Sequence, residues 1–142
     1  SIDWINAIER GLMIDADPDQ LFRILLNLVR NAAQALESQT KSDAAPEQIR
    51  VTGRREGSVA VIEVSDTGPG VPAKARNHLF EAFQASDRAG GSGLGLAIAA
   101  ELVRAHGGDI HLVEGTIGAT FRIAIPDRPV ELASLRNERI RA

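Results

Sequence analysis

One stretch of the chain constrains the fold most: an apolar run that ends in an aspartate followed by a glycine-rich turn. Residues Val59–Asp66 are rich in β-branched side chains, which predicts a strand. Because side chains alternate along a strand, Asp66 shares one face with three apolar residues, Ala60, Ile62 and Val64. We therefore expect this face to be core and the Asp66 carboxylate to end in an apolar cleft. A carboxylate there needs a donor partner, since a buried unpaired charge is costly.

The turn that follows, Asp66-Thr67-Gly68-Pro69-Gly70, suits the close approach of a ligand. Its glycines leave the backbone free of Cβ atoms, so a flat ligand can lie directly against it. The alternative is a plain strand end, with a Gly-Pro turn capped by the aspartate. This stretch alone favours the plain strand end, and the other motifs shift the balance.

A long helix is predicted from Pro18 to about Glu37. Asp17 is a suitable N-cap, and proline is favoured at the first helical position. Apolar residues recur at three- and four-residue spacing and predict the core stripe, which is Leu21, Leu25, Leu28, Ala32 and Ala35.

Three amides share one face of this helix: Asn27, Asn31 and Gln34. Asparagine is an indifferent helix former, so two of them within a leucine-rich run suggest a site. An amide oxygen suits Mg²⁺, which prefers hard oxygen ligands and completes its shell with substrate phosphates. Two solvent-facing polar residues on an amphipathic helix are an equally good interpretation of the asparagine pair.

A second glycine cluster, Gly90-Gly91-Ser92-Gly93-Leu94-Gly95-Leu96, opens another predicted helix. A glycine loop at a helix start can present backbone N–H groups to phosphate. No lysine follows, so the loop is not a P-loop, and no strand precedes it as in a dinucleotide-binding fingerprint. The alternative is a flexible hinge.

The remaining elements follow from apolar pattern and turn residues. Phe80 and Phe83 share a face, and plain core packing is the favoured interpretation of that pair. In chain order we predict an edge strand at Leu12–Ile14, a loop at Ser38–Gln48, strands at Ile49–Arg54 and Val59–Asp66, a helix at Lys74–Phe80, a helix at Leu94–His106 with Leu94, Ile98, Leu102 and Val103 inward, and strands at Asp109–Glu114 and Ala119–Ile125 with Ala119, Phe121, Ile123 and Ile125 inward.

The composition suits one soluble globular domain. The chain has 142 residues, which suits one domain. It has no cysteine, so disulfides and thiolate chemistry are excluded. Its net charge of -3 gives no basic field for nucleic acid. No apolar stretch approaches the length of a membrane span. The chain does not begin with Met, and we expect it to be a fragment of a longer protein.

Four blocks in a fixed order resemble the ATP-binding catalytic domain of sensor histidine kinases, of the superfamily that includes Hsp90, DNA gyrase and MutL. The resemblance covers about residues 16–126, and Gly118-Ala119-Thr120-Phe121 is similar to the family's last glycine box. The four blocks are Asn27-Leu28-Val29-Arg30-Asn31-Ala32, Asp66-Thr67-Gly68-Pro69-Gly70, Phe80-Glu81-Ala82-Phe83 and Gly91-Ser92-Gly93-Leu94-Gly95-Leu96.

The resemblance implies a role for each matching residue. It implies Asn31 as the Mg²⁺ ligand, Asn27 as a group that places metal and phosphate, and Asp66 as the acceptor for the adenine amine. Residues 84–90 would form a mobile lid over ATP that contains Arg88. Gln34 stands where the family often has a phosphate-binding cation. The adenine would be lined by Gly68, Gly70 and Val71, and the lid would be anchored by Phe80 and Phe83. The triphosphate would be covered by Gly91, Gly93, Leu94, Gly95 and Leu96.

Asn27 also separates the subfamilies. Hydrolysing members of the superfamily carry a glutamate there, so the resemblance favours phosphotransfer over hydrolysis. None of the histidines, His78, His106 and His111, lies in an acceptor motif. The short lid resembles nitrogen-regulation kinases, whereas Ala119 departs from the usual threonine of the last glycine box.

The resemblance implies a two-layer α/β sandwich, with a mixed and largely antiparallel sheet and three helices on one face. Residues 1–126 would form the ATP-binding domain and 127–142 a charged tail. The implied partners are the phosphoacceptor histidine hairpin of the same parent and a downstream response regulator receiver domain. We expect a monomeric fragment of a homodimeric, cytoplasmic or membrane-anchored parent. An ATP-driven switch of the Hsp90 or MutL kind and a non-catalytic adaptor are the alternatives.

Overall fold

The computed structural model describes residues 2–38, 46–82 and 93–129. In chain order the elements are strand β1 (Asp3–Ile8), helix α1 (Pro18–Ser38), strands β2 (Gln48–Glu56) and β3 (Val59–Asp66), a 3₁₀ helix (Ala73–His78), helix α2 (Gly95–Ala105), and strands β4 (Asp109–Leu112) and β5 (Ala119–Pro126).

The described strands form one sheet in the order β1-β2-β3-β5-β4. β1 runs parallel to β2, and the other neighbours are antiparallel. α1 packs on β2 and β3, α2 packs on β4 and β5, and the two helices contact each other on the same side of the sheet. The predicted two-layer sandwich with a mixed, largely antiparallel sheet is therefore confirmed.

The inward faces of the two central strands are as predicted. Asp66 and the alternate residues before it in β3 are all less than 4% exposed. In β5 the four predicted residues are also buried, namely Ala119, Phe121, Ile123 and Ile125. Alternation along each strand sets these faces because helices cover one side of the sheet, although Val61 and Thr120 between them are also buried.

The predicted edge strand at Leu12–Ile14 is wrong, because the edge strand is Asp3–Ile8. Gly11 has φ +76, and a turn joins the Leu12 N–H to the Glu9 carbonyl, so the chain leaves the sheet before Leu12. Leu12 instead packs over Gly53, where a Cβ would come within 3.0 Å of it. The bare backbone of Gly53 makes room for that packing.

Helix α1 begins as predicted and ends one residue beyond Glu37. The Asp17 carboxylate accepts the Gln20 N–H at 2.9 Å, so Asp17 is the N-cap. The buried stripe is wider than predicted, because α1 is covered by both the sheet and α2. It adds Ile24 and Leu36, whereas Leu21 and Leu25 are only partly buried.

The other two helices differ in detail from the prediction. The helix expected over Lys74–Phe80 is a 3₁₀ helix over Ala73–His78. In α2 the prediction of Leu94 as a core residue is wrong, since it is the N-cap and 37% exposed. Helix periodicity does not apply to a residue before the first turn. The buried residues of α2 are Leu96, Ala99, Ala100 and Val103.

Candidate functional site

Asp66 lies at the last position of β3 and is 3% exposed. Its Oδ1 accepts the Gly68 N–H at 2.9 Å, so the carboxylate caps the turn that follows it. The Asx cap proposed as the plain interpretation is therefore present. The cap does not exclude a ligand, because a carboxylate can accept several hydrogen bonds.

The glycines of this turn are required by close packing. A Cβ on Gly68 would come within 3.3 Å of the Ala35 Cβ on α1. Gly70 has φ +80, and a Cβ there would come within 3.1 Å of the Gly118 carbonyl. Gly118 has φ +69, and a Cβ there would collide with the Asp66 carbonyl. The turn is thus held between α1 and the start of β5.

The amides of α1 lie beside this turn and beside α2. Asn31 is one helical turn before Ala35, which contacts Gly68. Asn27 Oδ1 lies 3.8 Å from the Cβ position of Gly95, the first residue of α2. Asn27, Asn31 and Gln34 are each partly buried. The structure therefore brings Asn27 to the start of α2 and Ala35 to the aspartate turn, with Asn31 between these two positions along α1.

Asn31 carries an unsatisfied polar group. Its Nδ2 is buried and has no hydrogen-bond partner in the described part of the chain. A buried donor without an acceptor costs about 1–3 kcal/mol. Oxygen and nitrogen of an amide are assigned from such networks, so the unmet group belongs to the amide as a whole. A ligand, an ion or a water molecule can supply the missing partner.

The start of α2 lies beside Asn27 and presents backbone N–H groups. Its N-cap Leu94 makes no side-chain capping bond, and Gly93 precedes it with φ +81. The first N–H groups of a helix have no partner within the helix and carry the positive end of its dipole. Together with Asn27, they form a surface suited to anionic oxygens.

Some of the predicted site residues belong to the core. Val71 is 7% exposed and Leu96 is 2% exposed. Phe80 packs edge-to-face on Phe121 with ring centroids 6.1 Å apart, in line with core packing. Phe83, Arg88, Gly91 and the lid at 84–90 lie outside the described residues, as do the 39–45 part of the predicted loop and the tail from 130 to 142.

The histidines have local partners. His78 pairs with Glu81 at 3.1 Å, and His111 lies 3.8 Å from Asp109. His106 Nδ1 lies 2.8 Å from the Leu102 carbonyl, and its Nε2 accepts the Asp17 N–H at 3.2 Å. Because one contact needs a donor and the other an acceptor, the two contacts fit a proton on Nδ1 of His106.

Sequence reasoning missed Thr67. Its hydroxyl donates to the Pro46 carbonyl at 3.0 Å and accepts the Gln48 N–H at 2.9 Å. Threonine is ordinary in a turn, so no signal in the sequence marked this residue.

A cleft of about 450 Å³ opens at the other end of the sheet. There Arg128 donates backbone and side-chain hydrogen bonds to Asp15, and these bonds lower the pKa of the Asp15 carboxyl. The cleft is far along the strands from Asp66, since Asp66 pairs with Ala119 whereas the cleft contains Pro126. Of the predicted ligand-binding residues that the structure describes, none lines it.

Residues 16–129 match the family described as histidine kinase-, DNA gyrase B- and HSP90-like ATPase. The chain belongs to this family. It is 42% identical over 127 residues to the circadian input-output histidine kinase CikA of Synechococcus elongatus, covering 82% of this chain and 16% of the relative. It is 39% identical over 116 residues to the sensory histidine kinase/phosphatase NtrB of Klebsiella oxytoca, covering 79% of this chain and 33% of the relative.

Solved structures agree with this membership. The mycobacterial sensor histidine kinase MprB is 28% identical with a TM-score of 0.71, covering 91% of this chain and 84% of that one. Full-length ShkA in complex with AMPPNP is 34% identical with a TM-score of 0.69, covering 91% of this chain and 26% of that one. The chain spans a third or less of the length of the two curated relatives above.

No helix among the described residues is both long and apolar enough to cross a membrane.

Proposed function

We propose that this chain is the catalytic domain of a sensor histidine kinase, which binds Mg-ATP and presents its γ-phosphate to a histidine on another domain. One observation carries the proposal. The Asn31 amide is buried with a nitrogen that has no partner in the described residues, and along α1 it stands one turn from Asn27, which is beside α2, and one turn from Ala35, which is beside the Asp66 turn. A nucleotide there would reach all three with its base, metal and phosphates.

Asp66 accepts the exocyclic amine of adenine in this proposal. Its carboxylate is buried at a strand end and already oriented by the Gly68 N–H. Gly68, Gly70 and Val71 lie against the base. The two glycines let this turn pack closely on α1 and Gly118, which holds its backbone in place beside Asp66.

Asn31 and Asn27 hold the metal and phosphate end. The fit is supported by the chemistry of the donor set, because amide oxygens are hard ligands and the Asn31 amide has an unmet group. Bound Mg²⁺ would neutralise charge on the phosphate oxygens. The α2 N–H groups, after Gly93 and Leu94, bind those oxygens, with Gly95 keeping the approach open. Gln34, Phe80, Phe83, Arg88, Gly91 and Leu96 keep the roles that the resemblance implies.

Transfer is favoured over hydrolysis by the residue at position 27. An amide cannot act as the general base that activates water, whereas a carboxylate there could. Catalysis by this domain is then orientation of the triphosphate and neutralisation of its charge. The same residue speaks against an ATP-driven switch of the Hsp90 kind.

The acceptor lies outside this chain in the proposal. It is a histidine on a helical hairpin that also makes the parent a homodimer, and a receiver domain takes the phosphate next. Three histidines with local structural partners support an external acceptor. The parent's reaction would take place in the cytoplasm.

The test is to incubate the chain with γ-labelled ATP, alone and with the separately expressed hairpin domain of its parent. We expect acid-labile label on the hairpin and none on this chain. Label on this chain alone would contradict an external acceptor. Rapid phosphate release without the hairpin would favour the switch instead.

A further inference from the structure

Thr67 lies between Asp66 and Gly68, yet its side chain bonds to a different part of the chain. Its hydroxyl donates to the Pro46 carbonyl at 3.0 Å and accepts the Gln48 N–H at 2.9 Å. Its own N–H donates to the Gln48 carbonyl at 3.2 Å. Three hydrogen bonds thus tie Thr67 to the start of β2.

These bonds show how β3 ends. The β2–β3 ladder pairs Ile49 with Asp66, so Gln48 and Thr67 would form the next pair. The Thr67 N–H bond to the Gln48 carbonyl marks this as a hydrogen-bonded pair, and in such an antiparallel pair each residue donates its N–H to the other's carbonyl. Here one of these two bonds is kept, and in the other the Thr67 hydroxyl accepts in place of a carbonyl. The main chain can therefore leave the strand at Thr67 while the residue stays anchored.

The direction in which the chain leaves β3 determines the geometry around the Asp66 carboxylate. Directly after Thr67, the Gly68 N–H donates to Asp66 Oδ1 at 2.9 Å, and Gly68 packs against Ala35. Gly118 lies so close to the Asp66 carbonyl that a Cβ there would collide with it. Thr67 adds to the Ile49–Asp66 pairing a further tie between this turn and β2, directly next to the carboxylate that Gly68 orients.

We propose that Thr67 is a positioning residue for adenine recognition: its hydroxyl fixes the strand exit that aims the Asp66 carboxylate. The inference rests on the proposed ATP site and deepens it. Thr67 acts through Asp66 and touches no part of the nucleotide. The same bonds connect the site to Pro46 and Gln48, which follow the connection from α1.

The experiment compares Thr67→Val, Thr67→Ser and the parent chain. Valine keeps the shape and loses both hydroxyl bonds, whereas serine keeps the hydroxyl. Thr52→Val is the matched control, since Thr52 pairs with Glu63 in the middle of the same ladder. Dissociation constants are measured for ATP and for inosine triphosphate, which lacks the exocyclic amine, and melting temperatures are recorded alongside.

We expect Thr67→Val to bind ATP about tenfold more weakly, in keeping with the loss of two ordinary hydrogen bonds. Its affinity for inosine triphosphate should change little, so the preference for adenine falls. Thr67→Ser should restore that preference, and Thr52→Val should leave it unchanged. A merely structural role for Thr67 would lower the melting temperature and leave the ratio of the two affinities as it is.

An unchanged preference in Thr67→Val would overturn the inference, as would a serine variant that behaves like valine. If Thr67→Val does not fold, Thr67→Ala gives the same comparison with less crowding. A parent chain that binds ATP without preferring it would overturn the Asp66 assignment and this inference together. A parent that prefers ATP beside an equally selective Thr67→Val would overturn this inference alone.

Discussion

The two ends of the sheet differ in how their polar groups are satisfied. At the end where β3 finishes, Asp66 is buried and Asn31 has an amide nitrogen without a partner in the described residues. At the other end, around the 450 Å³ cleft, Asp15 pairs with Arg128 and His106 uses both ring nitrogens.

This difference shows that the presence of a roomy cleft does not by itself identify the site. The cleft is roomy, but the polar groups named above are paired within the chain, and Asp17 caps α1 through its carboxylate. The Asp66 end has glycines where side chains would clash, and the Asn31 amide, which lacks a partner among the described residues. A buried polar group of this kind is the better sign of function.

Asp66→Asn should produce the largest change at the nucleotide end. The amide keeps one acceptor oxygen and loses the charge, so the bond to the adenine amine weakens by about 1–2 kcal/mol or more. We expect ATP affinity to fall at least tenfold with the fold intact, as measured by calorimetry and circular dichroism. Asp15→Asn, at the opposite end, should leave affinity unchanged. If the Asp66 variant binds ATP and GTP with the same affinities as the parent does, the adenine assignment is refuted.

Gly118→Ala should destabilise the same end, and Gly115→Ala isolates the reason. Both glycines have positive φ, but a Cβ on Gly115 has nothing within 4 Å whereas one on Gly118 meets the Asp66 carbonyl. Backbone strain is common to both, so the clash should cost Gly118→Ala about 2 kcal/mol more in unfolding free energy. Denaturant unfolding measures this difference. Two equal losses would show that the turn is not held as tightly as described.

Asn31→Ala should have opposite effects with and without ligand. It removes an unsatisfied buried amide, so the free chain should keep its stability or gain up to about 1 kcal/mol. ATP binding should lose its dependence on Mg²⁺. Titrations in Mg²⁺ and in EDTA test the second effect, with Asn6→Ala on the exposed β1 as control. A variant that is less stable and whose ATP binding still depends on Mg²⁺ would show that Asn31 has a structural role and is not a metal ligand.

The smallest effect is expected at the cleft end, from the Asp15–Arg128 pair. The pKa of Asp15 is lowered below its usual value of 3.8, chiefly by the Arg128 backbone N–H and then by its side chain. The folded state therefore gains stability above pH 3.8 and loses it as the pH falls through the lower folded pKa. Melting temperatures of the parent and Asp15→Asn should converge below that range. A difference that persists in acid would contradict the pairing.

Much of the fold was predictable because its signals are periodic and local. Alternation gave the inward faces of β3 and β5, and Asp17-Pro18 gave the start of α1. The position of the edge strand in the chain was not predictable. β1 is mostly exposed and pairs in parallel with a distant strand, so neither alternation nor a hairpin turn marks it.

The same limit applies to the site. Motif order predicted that Asn31, Asp66 and the start of α2 meet, because these residue types are unusual in their elements. The contributions of Ala35 and Thr67 depend on contacts between distant parts of the chain, namely with Gly68 and with Pro46 and Gln48. An alanine on a helix and a threonine in a turn are too common to be informative by sequence alone.

Titration of the parent chain with ATP, in Mg²⁺ and again in EDTA, tests the central claim most directly. We predict saturable binding of one ATP per chain, tighter in Mg²⁺. The affinity for ATP should fall at least tenfold in Asp66→Asn and stay unchanged in Asp15→Asn. Absence of binding in both buffers, or binding that Asp15→Asn removes and Asp66→Asn does not, would contradict the account.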